Sequence, residues 1–480
     1  MQKFMRLHFA SETPEVVRKR ISYAFQVFAA IFGHPIEKAD ANGAGVDCFY
    51  GEIRPSSEVF FVPARYRVTG YRRKCELTKH RYAGQDFYLF HGIDPVSGRP
   101  DWLGEIFEWL SCSYEREAQN RDSIGRIPFG ASIFFEKDIS PRKPFATLLM
   151  AWMENELRGG RPDESLPKAP SPIPEFDHIV VSSHDIDFYY TDRRAAAVRL
   201  SKNMGIACRP YRSWSFAASN AGMLFDLMRG RRVGNYLPSL LERGEALQFR
   251  SSLFAVARHH HRRDPGYDIA SIAPALLEAK QCGFSVGLHG SYESLIENSA
   301  LEPEAAALGA AVGSRSAGNR QHWLRFDSHE KLNQQVERAG FLYDSSCGFP
   351  DRVGFRSGAS FAFPPYNQQE ERAHQFLEIP LAIMDGSLEA TAREMRESPQ
   401  SVADEVLEES RRWGWGGISL LWHNPIEALS VPKEINQVFW NCVKKQKQFR
   451  ECWISGDEFL RISIDRFQAA GLLRGVKFDA

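Results

Sequence analysis

The chain is 480 residues long, 43% hydrophobic and 25% charged, with 60 basic residues set against 60 acidic ones. That length exceeds one ordinary core and predicts two or three domains. The even charge balance argues against nucleic acid or an anionic membrane surface as a partner. The 8 cysteines stand singly, without a CxxC pair, and read as reduced thiols. The first residues carry no signal-peptide apolar core, and no stretch is long enough to span a bilayer, so the expectation is a cytoplasmic protein with no membrane span.

In chain order, apolar periodicity predicts an amphipathic helix over 16–32, a strand in EVFFVPA and an aromatic-rich helix over 102–110. Residues 1–160 hold no convergent set of catalytic side chains and read as a smaller α/β accessory domain. The stretch GGRPDESLPKAPSPIPE, rich in Pro, Gly and charge, cannot sit inside a helix or central strand. It predicts a linker over 161–175 and a second domain over 176–475.

The second part has a different rhythm. HIVVSS, SSLFAVA, FSVGL, FLEIPLAI and GGISLLW are β-leaning apolar runs separated by helical stretches. In DIASIAPALLEAKQCG, Ile269, Ile272 and Leu276 share one face and Gly283 closes the helix. A later helix is announced by Asp327 and Glu330 in capping-box order, then Leu332 and Val336, and closed by Gly340. Such alternation predicts a parallel sheet or a β/α barrel.

Ionisable residues follow the strands repeatedly. His184, Asp185 and Asp187 end the first; His289 to Glu293 follow FSVGL; Arg320 and His322 lie in NRQHWLRF; Asp385 and His423 come after the last two runs. In a β/α barrel the carboxyl ends of the strands open on one face, where catalytic groups from different strands meet. Imidazole and carboxylate are the ligands of an open zinc-type site. The pattern suggests a division of labour between Asp185 and Asp187, one binding a metal and the other moving protons.

SHDID, GLHGSYES, RQHWLRF, GFLYDSS and LLWHNP, in this order, resemble the motifs of the NodB-type polysaccharide deacetylases. The likeness runs over roughly residues 176 to 430 and is closest to a branch with an HDxD first motif and an uncharacterised N-terminal domain. It implies a distorted (β/α)7-type barrel that uses a divalent metal, expected to be zinc, to remove acetyl groups from N-acetylated sugars. By the same resemblance Asp185 is the catalytic base, Asp187 and His289 bind the metal, Arg320 orients the base and His423 is the general acid. Asp385 stands near the place of an aspartate that tunes that histidine. The family's second motif reads His-x-x-x-His, and Glu293 stands here at its last position. The third ligand is therefore open among His322, Glu293 and His184, with His322 favoured.

Tyr292, Arg356 and Trp415 are candidates for binding the sugar, Trp415 by stacking on a pyranose face. The run His259–His261 reads as a solvated loop and Cys347 as a buried thiol. A cytosolic location makes a nucleotide- or lipid-linked precursor of a surface glycan the expected substrate, and enzymes of surface-polysaccharide assembly possible partners. Two other readings stand beside this one. Glu293 in place of histidine suggests a glycan-binding or scaffold protein on a degenerate barrel, and the same barrel could open cyclic amides.

Overall fold

The computed structural model describes residues 4–37, 45–56, 59–67, 76–116, 118, 120–187, 189, 193–207, 214–230, 236–296, 301–423 and 433–477. Near the N-terminus, helix Glu15–Phe32 buries Ile21, Ala24, Phe28 and Ile31, the three- and four-residue spacing of an amphipathic stripe. Gly33 ends it at φ 73, where its N–H reaches the carbonyl of Ala29. Strands Phe4–Phe9, Gly45–Gly51 and Phe60–Pro63 form a small parallel sheet in that order. Helices Trp102–Leu110 and Phe145–Leu157 add the fully buried rings of Trp102, Trp109 and Trp152. The result is a smaller α/β region.

The larger region is built on a nine-stranded parallel sheet. Its path runs Leu377–Glu378, Tyr343–Asp344, Gly318–Gln321, Ser285–Gly290, Ser252–Ala255, His178–Asp185, Gly416–Leu421 and Leu381–Met384, with Glu451–Ile454 pairing the first half of His178–Asp185. The two end strands of this path are separated in sequence only by Ile379 and Pro380. Ile379 donates its N–H to Asp344 at 2.8 Å, on one side, while the Pro380 carbonyl accepts from Ser419 at 2.8 Å, on the other. A sheet whose opposite edges are joined by two residues has to curl on itself. This is a distorted β/α barrel.

The predicted run FLEIPLAI is thus two strands, not one. Pro380 has no N–H for a ladder and interrupts the run at the point where the chain passes from one edge to the other.

Period-two alternation sorts the strand His178–Asp185. Ile179 and Val181 join the core shared with the N-terminal region, whereas Val180 faces the barrel's own helices. Ser183 and Asp185 continue the first face and His184 the second.

Candidate active site

At the carboxyl end of His178–Asp185 the chain delivers Asp185, buried, and then Asp187 just past the strand. Two residues apart, they face the same opening. Strand Ser285–Gly290 brings His289, which pairs in register with Arg320 on the adjacent strand Gly318–Gln321. His322 follows one residue beyond that strand.

The imidazoles are held from behind. His289 donates Nδ1–H to the Arg320 carbonyl at 2.8 Å, because a carbonyl can only accept. His322 presents Nδ1 to Asp264 Oδ1 at 3.2 Å. Both rings therefore turn Nε2 inward. His289 Nε2 lies 3.5 Å from Asp185 Oδ2 and 3.5 Å from Asp187 Oδ1, and His322 Nε2 is 3.5 Å from the same Asp187 oxygen. These separations are too long for good hydrogen bonds. His289 Nε2 and Asp187 Oδ1 are buried with no hydrogen-bond partner. Against the cost of burial, Asp187 and Asp264 push the His322 pKa up to about 9, so the carboxylates call for positive charge here, which a proton on that ring or a bound cation supplies.

Asp187, His289 and His322 offer ligand atoms all within 4.8 Å of one another. Two imidazoles and one carboxylate are a donor set for a divalent zinc-type ion with a position left open. Buried donors without partners, tied from behind by a carbonyl and a carboxylate, fit such an ion. Glu293 and His184 stand outside this group. His184 points to the opposite face, with Nδ1 2.7 Å from the Trp422 carbonyl and its ring edge-on to Phe439. Burial brings its pKa down to about 4.

Arg320 lies inside the barrel, fully buried, and donates to the hydroxyls of Ser183, Ser345 and Ser419 at 2.9–3.0 Å. Small serines, two on strands and Ser345 just past a third, leave room for the guanidinium, whose Nη1 comes within 3.9 Å of Asp185 Oδ1. Across the opening, Asp385 Oδ1 receives His423 Nδ1 and Oδ2 receives the His423 backbone N–H, both at 2.8 Å. His423 Nε2 then faces the site, 3.7 Å from Asp187 Oδ2. Burial disfavours the charged ring, but Asp385 foremost, with Asp187 and Asp185, pushes its pKa up to about 10.

The three proposed sugar-binding residues fare differently. Tyr292 is buried with its N–H on Asp264 Oδ1, its hydroxyl accepting from Arg263 at 2.9 Å and its ring stacked on His261. Arg356 is buried away from the opening in an ion pair with Glu115 at 2.7 and 2.8 Å. Trp415 is also away from it, fully buried against Phe459 with its indole N–H on the Ile31 carbonyl. Neither Arg356 nor Trp415 can touch a substrate there, because each is consumed in packing the N-terminal region onto the barrel.

Two residues at the site escaped the sequence. Asp264 lies in RHHHRRDP, the run read as a solvated loop. Its Oδ2 accepts the N–H groups of His260 and His261, and its Oδ1 takes the Tyr292 N–H and His322. Trp323, beside His322, is 40% exposed and sits at φ 62, an uncommon backbone for a bulky residue. Its aromatic signal was present in RQHWLRF, next to the favoured ligand.

No family model and no curated protein matches the chain. Among solved structures, a polysaccharide deacetylase from Bacillus cereus is similar at a TM-score of 0.30 and 9% identity, over 58% of this chain and 91% of that one. A peptidoglycan deacetylase from Bacillus subtilis is similar at 0.28 and 9%, over 61% and 95%.

Proposed function

We propose that the protein is a metal-dependent hydrolase that removes acetyl groups from N-acetylated sugars, with precursors of a surface polysaccharide as substrates. One observation carries the reading: Asp185, Asp187, His289, Arg320, His322 and His423, from four strand ends, converge on one opening where buried donors lack partners.

In this reading Asp187, His289 and His322 hold a divalent ion, zinc by its ligand set. Such an ion, when bound, polarises an acyl carbonyl and acidifies water. Asp185 is the base: its Oδ1 has no hydrogen-bond partner and lies 3.9 Å from Arg320 Nη1, which holds it in place. It takes the proton of the attacking water. His423, with Nδ1 fixed by Asp385, holds a proton at Nε2 and delivers it to the departing sugar amine. The exposed Trp323 face, beside Tyr292, offers a platform for the apolar face of a pyranose.

The test is acetate release from N-acetylated amino-sugar oligomers, together with metal analysis. Asp185→Asn is expected to lower turnover by about 10²–10⁴-fold while keeping the ion. Asp187→Asn is expected to lose the ion as well as activity. A wild-type protein that holds a stoichiometric divalent ion in this site but releases no acetate overturns the deacetylase assignment. If Asp185→Asn loses the ion and Asp187→Asn keeps it, the two roles are reversed.

A further inference from the structure

A second group of metal-ligand type lies where the N-terminal region meets the barrel. Cys112 follows helix Trp102–Leu110, His329 opens helix His329–Arg338 and Cys347 follows strand Tyr343–Asp344. Their ligand atoms all lie within 4.8 Å of one another, though the residues come from three distant parts of the chain. Cys112 and Cys347 are buried, at 4% and 3% exposure. The group borders a cavity of about 120 Å³ whose wall also includes Ser111, Glu115 and Glu378.

The surroundings are ordered toward this point. His329 Nε2 sits 3.2 Å from Glu115 Oε2, which leaves Nδ1 as the free ring nitrogen. Glu115 is itself clamped by Arg356, so the carboxylate is fixed and its charge is balanced. A carboxylate on the far nitrogen of an imidazole is how proteins orient a histidine for a metal. Cys347 is held by its own N–H on Glu378 at 3.0 Å. Cys112 has φ 47, a backbone region that non-glycine residues occupy only when their surroundings impose it.

We propose that Cys112, Cys347 and His329 Nδ1 form a second metal site, taking a thiophilic divalent ion such as zinc and tying the N-terminal region to two segments of the barrel. Two thiolates and an imidazole select zinc over harder cations. Because the three ligands meet only in the folded chain, binding there adds directly to folding stability. The site shares no residue with the opening at Asp187, and the proposal does not rest on the deacetylase reading.

Cobalt(II) separates the two sites, since only this one contains sulfur. The full chain, reduced, stripped of metal and reloaded with cobalt, is expected to bind two ions and to show a thiolate-to-cobalt charge-transfer band in the near ultraviolet. Asp187→Asn should bind one ion and keep the band. Cys347→Ser and Cys112→Ser should bind one ion and lose it, and Cys282→Ser, at an exposed thiol, should change neither. Reloaded wild-type protein without a sulfur band overturns the proposal, a result that needs no variant to fold. So does a band that survives both Cys112→Ser and Cys347→Ser, or a wild-type chain isolated with a Cys112–Cys347 disulfide, seen as two missing thiols after denaturation.

Discussion

Asp264 shows how much of the site depends on a single side chain buried behind it. Four groups converge on its two oxygens: the N–H groups of His260, His261 and Tyr292, and the His322 ring. Despite the cost of burial, His322 and these N–H groups bring its pKa down to about 2, so it stays an anion behind the imidazole. Asp264→Asn is expected to weaken zinc binding at the barrel site by about 10–100-fold, read by competition with a chelating dye. Its effect on the sulfur-containing site should be nil. Asp185, Asp187, His289 and His423 were visible in the sequence because they follow apolar strands. Asp264 was not, because its partners are mostly backbone N–H groups, which leave no residue-type signature.

At the scale of elements, helices were the most legible part. The helix over 102–110 is found with those bounds, and that over 16–32 begins one residue earlier. The capping-box reading is corrected by one residue: Ser328, not Asp327, accepts from Lys331 N–H, while Asp327 lies exposed beside the Lys331 ammonium. Short polar strands were harder. Gly318–Gln321 reads GNRQ, with no apolar alternation to mark it, yet it occupies the middle of the sheet. Gly318 is needed there for close approach: a β-carbon would fall 2.1 Å from the Tyr343 ring. Tyr343 in turn bonds Ser252 and Asp457 at 3.2 and 3.0 Å and cannot move aside cheaply. Gly318→Ala is expected to cost about 1–3 kcal/mol by overpacking, measured as a lower urea midpoint at unchanged slope.

The whole molecule is held by a core that runs from one region into the other. Ile21, Phe28, Trp102 and Phe107 share a cluster with Ile179, Val181, Trp415 and Phe459. Tyr23 donates to the Pro364 carbonyl and Arg20 pairs with Glu371. The buried Glu115–Arg356 pair spans the same seam. Arg356→Met leaves Glu115 inside the protein with only the His329 ring beside it and is expected to cost about 3–5 kcal/mol. Replacing both partners with methionine should recover most of that loss, and metal-free protein is the right sample for both measurements.

Stability should also respond to pH through Glu304, fully buried against Ser291 N–H and Oγ. Burial raises its pKa to about 7. The folded chain therefore holds a proton that the unfolded chain releases near pH 4.5, so this contribution is complete below about 4.5 and lost as pH rises through 7. Glu304→Gln should flatten stability against pH across that window. An unchanged slope would show that Glu304 is ionised throughout.

Local sequence determined what local physics controls: apolar periodicity set the helices, β-leaning runs set most of the strands, and the residues after those runs supplied the acids and imidazoles. Tertiary structure decided the rest. It brought Asp264 behind His322, turned His184 away by strand alternation, and buried Trp415 and Arg356 in the seam between regions. It also split FLEIPLAI at Pro380 so that one run closes both edges of the barrel. Each of these depends on which distant segment arrives opposite, and burial, charge pairing and sheet closure are properties of that encounter, not of the residue alone.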